Sequence, residues 1–319
     1  MITTLLTVSL YIVVYSTAIL VFKAADSTKS EAKKKRIVVC GIIFMALFAC
    51  MRDISVGTDT AETISLYFAD QYERNIALDS IEDLLHGDVL YFVIANIIHL
   101  FHLGSKTFLF VLELCVLSPV AICAYIKRDR IPIHITMLIF SLLYYQLTFN
   151  WIRQSAASAF ILLTLVYAQN KAIKRAIITA ILAVLFHSSA IIGLTLLLFA
   201  YTFMRIKNKY LRTVFGVGFM AVFLILLLQW ETIVSFGVSY GILPARYEGY
   251  LRVFSGQTTV ESWFRIGTKT YVDYFLRIAI VMVPIVLSKK NLSLNEQQNV
   301  SFYKIIGIIG LIIYSYIFF

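Results

Sequence analysis

Apolar runs of about 20 residues recur along this chain, broken by short polar stretches, and that length matches the hydrocarbon thickness of a bilayer. The runs cover residues 2–22, 37–51, 89–103, 107–126, 131–169, 173–204, 213–230, 273–288 and 302–319. None alternates apolar and polar positions as a barrel strand does. In lipid a spanning backbone must satisfy its own hydrogen bonds, so the spans are helices. The pattern predicts an all-α, polytopic helical membrane protein, a single integral membrane domain over 1–319. Two polar stretches, 52–88 and 231–272, are long enough to be sizeable loops.

Two of the runs are too long for one crossing. Residues 131–169 would make a helix of about 58 Å against a hydrocarbon core of about 30 Å. Both ends of this run are basic, with Lys127, Arg128 and Arg130 before it and Lys171, Lys174 and Arg175 after it. It must go out and come back, and its polar midpoint is 150–155. Arg153 then stands at the head of a helix at the membrane boundary, beside Trp151, a natural interface anchor. Residues 173–204 repeat the pattern, with His187, Ser188 and Ser189 at the midpoint. The charges favour a hairpin with His187 on the outer side; one tilted helix is the alternative. The run 89–103 is short, and Asn96, His99 and His102 recur on one face, which predicts a helix in the outer interface or re-entering it.

Charge supplies the direction. Lys23, Lys29, Lys33, Lys34, Lys35 and Arg36 mark a cytoplasmic loop by the positive-inside rule. Residues 52–88 hold nine Asp or Glu against Arg52 and Arg74 and fit the opposite side. The expectation is about ten spans (roughly 10–12), both termini outside, and two larger periplasmic loops at 52–88 and 231–272. No Lys or Arg precedes Lys23, so 2–22 reads as a retained span and not a secretory signal. The net charge of +10 is then loop charge, with no implication of nucleic-acid binding. The chain is 60% hydrophobic and its mean hydropathy is +0.83, far from a soluble protein. Cys40, Cys50, Cys115 and Cys123 all sit in apolar runs without metal-type spacing.

Candidate chemistry gathers at the predicted outer ends. Arg52, Arg153 and the group Arg246 and Arg252 come from three separate segments to one face. A guanidinium near lipid is costly unless paired or functional, and its planar donors fit phosphate oxygens. Asp53, Asp59 or Glu62 as ion-pair partners would be the bland explanation. Asp59 and His187 are the acid/base candidates. Thr58 and Thr60 suit sugar hydroxyls, or a turn with Gly57. Tyr247 and Tyr250 offer aromatic faces to a sugar ring. His99 and His102 lack further ligands nearby, and no metal or cofactor site is expected.

The ordered set Arg52, Val56-Gly57-Thr58-Asp59-Thr60, Tyr67, then Ile152-Arg153-Gln154 and Ala157, then Phe186-His187-Ser188-Ser189-Ala190, resembles the EpsG-like branch of bacterial polysaccharide polymerases. These are relatives of the Wzy-type O-antigen polymerases. Arg246-Tyr247 and Tyr250 are similar to that family's later element. The resemblance implies a glycosyltransferase of the bacterial inner membrane working on its periplasmic side. Such an enzyme passes a glycan from undecaprenyl diphosphate to the non-reducing end of another lipid-linked repeat unit. It implies functional roles for Arg52, Asp59, Arg153, His187 and Arg246. Its partners would be the undecaprenyl-diphosphate-linked oligosaccharide and membrane lipid, with room for a chain-length regulator protein. Family members often continue beyond the point equivalent to Phe319, so the resemblance predicts an atypical or shortened C-terminus. A membrane O-acyltransferase and a lipid-linked glycan flippase remain as alternatives. The first would also use a His and an Arg. The second would need charge deep in a central cavity, whereas most charge here lies in loops.

Overall fold

The computed structural model describes residues 2–53, 56, 57, 60 and 89–240, and these are helical with no strand among them. Ten α-helices and one 3-10 turn follow in order. They are α1 (Ile2–Ser27), α2 (Glu31–Cys50), α3 (Val89–Leu100), α4 (Ser105–Ile126) and α5 (Ile133–Leu143), then the turn Tyr145–Phe149. After it come α6 (Ile152–Gln169), α7 (Ile173–Phe186), α8 (Ala190–Arg205), α9 (Lys209–Leu228) and α10 (Trp230–Ser239). Among the described residues two helical segments, Thr7–Ser27 and Ser105–Ile126, are long and apolar enough to cross a membrane. Helix α3 is described over the 12 residues Val89–Leu100. The expected spans at 273–288 and 302–319 and the loops 61–88 and 241–272 lie outside the described residues.

The chain divides into two compact units, Met1–Leu194 and Thr195–Phe319. In the first, α4 is central. It packs against α2, α3, α5 and α6, while α1 packs on α2 and α5, and α7 on α6 and α3. Small residues let these helices approach: Ala46, Ala49, Ala121, Ala124, Ala156 and Ala157 are buried. In the second unit, the rings of Phe199 and Phe219 stack at 3.7 Å and join α8 to α9.

Both over-long runs break where a hairpin needs it. The run 131–169 is interrupted by the 3-10 turn, and 173–204 is split between Phe186 and Ala190. The second finding decides for two helices over one tilted helix. Helices α6 and α7 run antiparallel: the Thr164 hydroxyl meets that of Thr179 at 2.9 Å, and farther from the connecting turn Phe160 stacks on Phe186 at 5.4 Å.

The basic connections meet at one end of the first unit. The Asp26 carboxylate accepts from the backbone N–H groups of Ile133 (3.1 Å) and His134 (3.0 Å) and lies 2.7 Å from His134 Nδ1. It therefore caps the start of α5 from the end of α1. Glu31 takes a hydrogen bond from the Tyr125 hydroxyl and faces Arg128 at 3.5 Å. Lys127 Nζ donates to Asn170 Oδ1 at 3.4 Å. Residues 23–36, 127–130 and 170–175 thus share one end, as the charge pattern requires.

Candidate functional site

The polar stretch after α2 sits at the other end of α2, folded onto the 3-10 turn. Gly57 makes this possible. Its φ is +95°, which favours glycine, and a Cβ there would lie 2.2 Å from the Phe149 carbonyl oxygen. Three residues on, Thr60 is fully buried and its hydroxyl donates to that same carbonyl at 3.1 Å. The Thr60 oxygen also accepts from Arg52 Nε (3.3 Å) and Nη2 (3.2 Å). Arg52 Nη1 donates to the Ala49 carbonyl at 2.7 Å, and its guanidinium lies over the Phe149 ring, 4.4 Å from the centroid. Arg52 is held on three sides by the end of α2, by Thr60 and by the turn. Burial is the main influence on its protonation and pulls its pKa down from the usual arginine value.

Directly after that turn, Trp151 leads into α6, and Arg153 is the second residue of the helix. No acidic residue of α6 lies in its first turn, and the side chain of Trp151 before it makes no capping hydrogen bond. The helix dipole therefore adds positive potential where Arg153 already stands. The Arg153 guanidinium lies 5.7 Å from the ring centroid of Tyr91, a buried residue of α3. His187 follows the last residue of α7, in extended conformation, and its carbonyl accepts from Ala190 N–H at 3.0 Å as α8 begins. The stack of Phe160 on Phe186 ties this break to α6.

The structure brings Arg52, Gly57 and Thr60 together and joins them through the turn to the segment carrying Arg153. His187 directly follows the helix paired with that of Arg153. Thr60, expected as a sugar contact or a turn residue, has its hydroxyl engaged inside the protein. Thr58, Asp59, Arg246, Tyr247, Tyr250 and Arg252 lie outside the described residues, as does Glu62. Among the described residues no three His, Cys, Asp or Glu side chains gather as a metal site would need.

One residue escaped the sequence pattern. Glu113, the single charge in the run 107–126, is buried in the middle of α4. The Thr148 hydroxyl lies 3.2 Å from both of its carboxyl oxygens and 2.6 Å from the Tyr145 carbonyl. Tyr145 is also fully buried and donates its hydroxyl to the Met45 carbonyl of α2 at 2.6 Å. The available signal was the ionisable group itself, since a carboxyl inside a membrane helix is functional by default.

The family model described as the EpsG family matches residues 35–319 of the chain. No curated protein and no solved structure matches it.

Proposed function

The chain belongs to the EpsG family, and from that premise we propose that it is a membrane polysaccharide polymerase, a glycosyltransferase acting on undecaprenyl-diphosphate-linked repeat units at the periplasmic face of the bacterial inner membrane. The observation that carries this reading is the convergence of two arginine-bearing segments on one turn. Arg52 is fastened to Phe149, and Arg153 follows four residues later at the head of α6. Fixed positive charge at a membrane boundary is what a departing lipid diphosphate needs.

In the reaction the bond between the sugar anomeric carbon and the diphosphate oxygen breaks, and its electron pair leaves with undecaprenyl diphosphate. A hydroxyl at the non-reducing end of the acceptor forms the new bond to that carbon and gives up its proton. Arginine stabilises the leaving negative charge without changing its own protonation. Arg153 is the first choice for this role, with Arg246 second and Arg52 third. Asp59 or His187 takes the acceptor proton. Thr58, Tyr247, Tyr250 and Arg252 complete the diphosphate and glycan contacts, while Thr60 holds Arg52 in place. The lipid tails enter sideways between helices, which suits a site at the boundary of the membrane.

The test is a glycan ladder in the host lacking this gene. Wild type restores the ladder. Arg153→Ala reaches the membrane in normal amount but lowers polymer output by about 100-fold or more, the scale of losing one preorganised charge donor. Arg153→Lys is also poor, because an ammonium cannot make the planar fork. A normal ladder from Arg153→Ala overturns the site. A ladder that persists without the gene, altered only in modification or export, turns the function toward the O-acyltransferase or the flippase.

A further inference from the structure

The buried carboxyl of α4 is not used by the mechanism above, and burying it there is costly. Glu113 lies eight residues into α4, about 12 Å along the helix from Ser105. Among the described residues its one hydrogen-bonding neighbour is the Thr148 hydroxyl, whose single proton also faces the Tyr145 carbonyl at 2.6 Å. One hydroxyl is thin compensation, since a carboxylate offers about four lone-pair sites and loses its water on burial. Removing such a charge from water is tolerated when an opposite charge answers it.

The turn supplies the link. Thr148 meets Glu113, and the next residue, Phe149, carries Arg52 over its ring and Thr60 on its carbonyl. The two charged side chains are thus fastened to consecutive residues of one 3-10 turn. Among the described residues, Glu113 is the one carboxylate whose charge bears on Arg52, and Arg52 the one cation whose charge bears on Glu113. Among the described residues, the other titratable groups bearing on this pair are the hydroxyls of Tyr11 and Tyr15 on α1, that of Tyr145 in the turn, and the Cys50 thiol at the end of α2.

We propose that Glu113 is the counter-charge of Arg52, a positioning residue that balances the guanidinium while the site is empty and sets how tightly the site holds an anionic diphosphate. The consequence for binding rests on the polymerase function proposed above; the pairing itself does not. A diphosphate at Arg52 competes with Glu113 for the same positive charge. The carboxylate therefore weakens product binding and speeds release of undecaprenyl diphosphate.

A double-mutant cycle on the full chain in detergent decides the pairing. Arg52→Gln leaves a buried carboxylate unanswered, and Glu113→Gln leaves a guanidinium unanswered while keeping the shape and the Thr148 contact. Each single variant lowers the melting temperature by about 5 °C or more. The double variant melts well above the sum of the two losses. If a single variant fails to accumulate, recovery of protein in the double variant is the same result. Additive losses, or a double variant that also fails, overturn the proposal.

Undecaprenyl diphosphate is then titrated into each variant that accumulates, and its stabilisation is measured from that variant's own baseline. Glu113→Gln binds the lipid several-fold tighter than wild type, and its polymer turnover falls together with KM. Binding that is unchanged or weaker overturns the role of Glu113 in affinity. If wild type itself gains no stability from this lipid, the diphosphate function falls, and the outcome of the cycle still decides the pair.

Discussion

At the scale of single residues, the site depends on positions where no other side chain fits. Gly57 combines a positive φ with a backbone oxygen 2.2 Å from where a Cβ would stand, and that oxygen belongs to a turn packed in the core. Gly57→Ala forces this contact apart, costing about 1–3 kcal/mol, and takes Thr60 and Arg52 with it. The expected result is a lowered melting temperature and a shortened glycan ladder; an unchanged melt and ladder would mean that the stretch does not seat on the turn. The sequence pattern could mark Arg52, Gly57 and Thr60, because a polar cluster beside an apolar run is conspicuous. It could not say what Thr60 does, since its partner Phe149 lies 89 residues away. Glu113 was hidden for a different reason. One carboxyl barely changes the hydropathy of a 20-residue run, and its meaning appears only when the Thr148 hydroxyl is seen against it.

At the scale of elements, helix ends carry much of the specification. Charge and length alone required a reversal within 131–169 and placed it at 150–155. The structure begins the reversal earlier, with α5 ending at Leu143 and the 3-10 turn running from Tyr145 to Phe149. Hydropathy cannot see that turn, because Tyr145, Leu147 and Phe149 are as apolar as a helix would be, and Tyr145 and Phe149 are buried. The break at 187–189 fell where expected because His187, Ser188 and Ser189 are all polar. The start of α5 was equally illegible: its cap comes from Asp26, more than a hundred residues upstream. Asp26→Ala removes an acceptor from two backbone N–H groups and a partner from His134. It should cost about 1–2 kcal/mol and free the first turn of α5. Faster amide hydrogen exchange at Ile133 and His134, with the rest of α5 unchanged, is the expected signature. Unaltered exchange would assign the capping to another group.

At the scale of the whole molecule, membrane orientation rests on charge, and the first unit shows how the chain makes charge geometric. The basic connections 23–36, 127–130 and 170–175 are joined at one end by hydrogen bonds and an ion pair. The segment with Arg52 and the head of α6 meets the turn at the other end of α2 and α6. If the positive-inside rule orients this unit, the arginine site faces outward. Single cysteines test this directly. Met51 and Trp151 are 74% and 40% exposed at the site end, and Lys29 and Lys174 are exposed at the basic end. The native cysteines provide the baseline, because each sits within a helix. Met51→Cys and Trp151→Cys should react with a membrane-impermeant maleimide added to cells whose inner membrane is intact. Lys29→Cys and Lys174→Cys should react only once that membrane is opened. The reverse pattern would put the site on the cytoplasmic face and remove the lipid-linked glycan as its substrate. Equal reaction at all four positions would mean that the two ends do not lie on opposite sides of a bilayer.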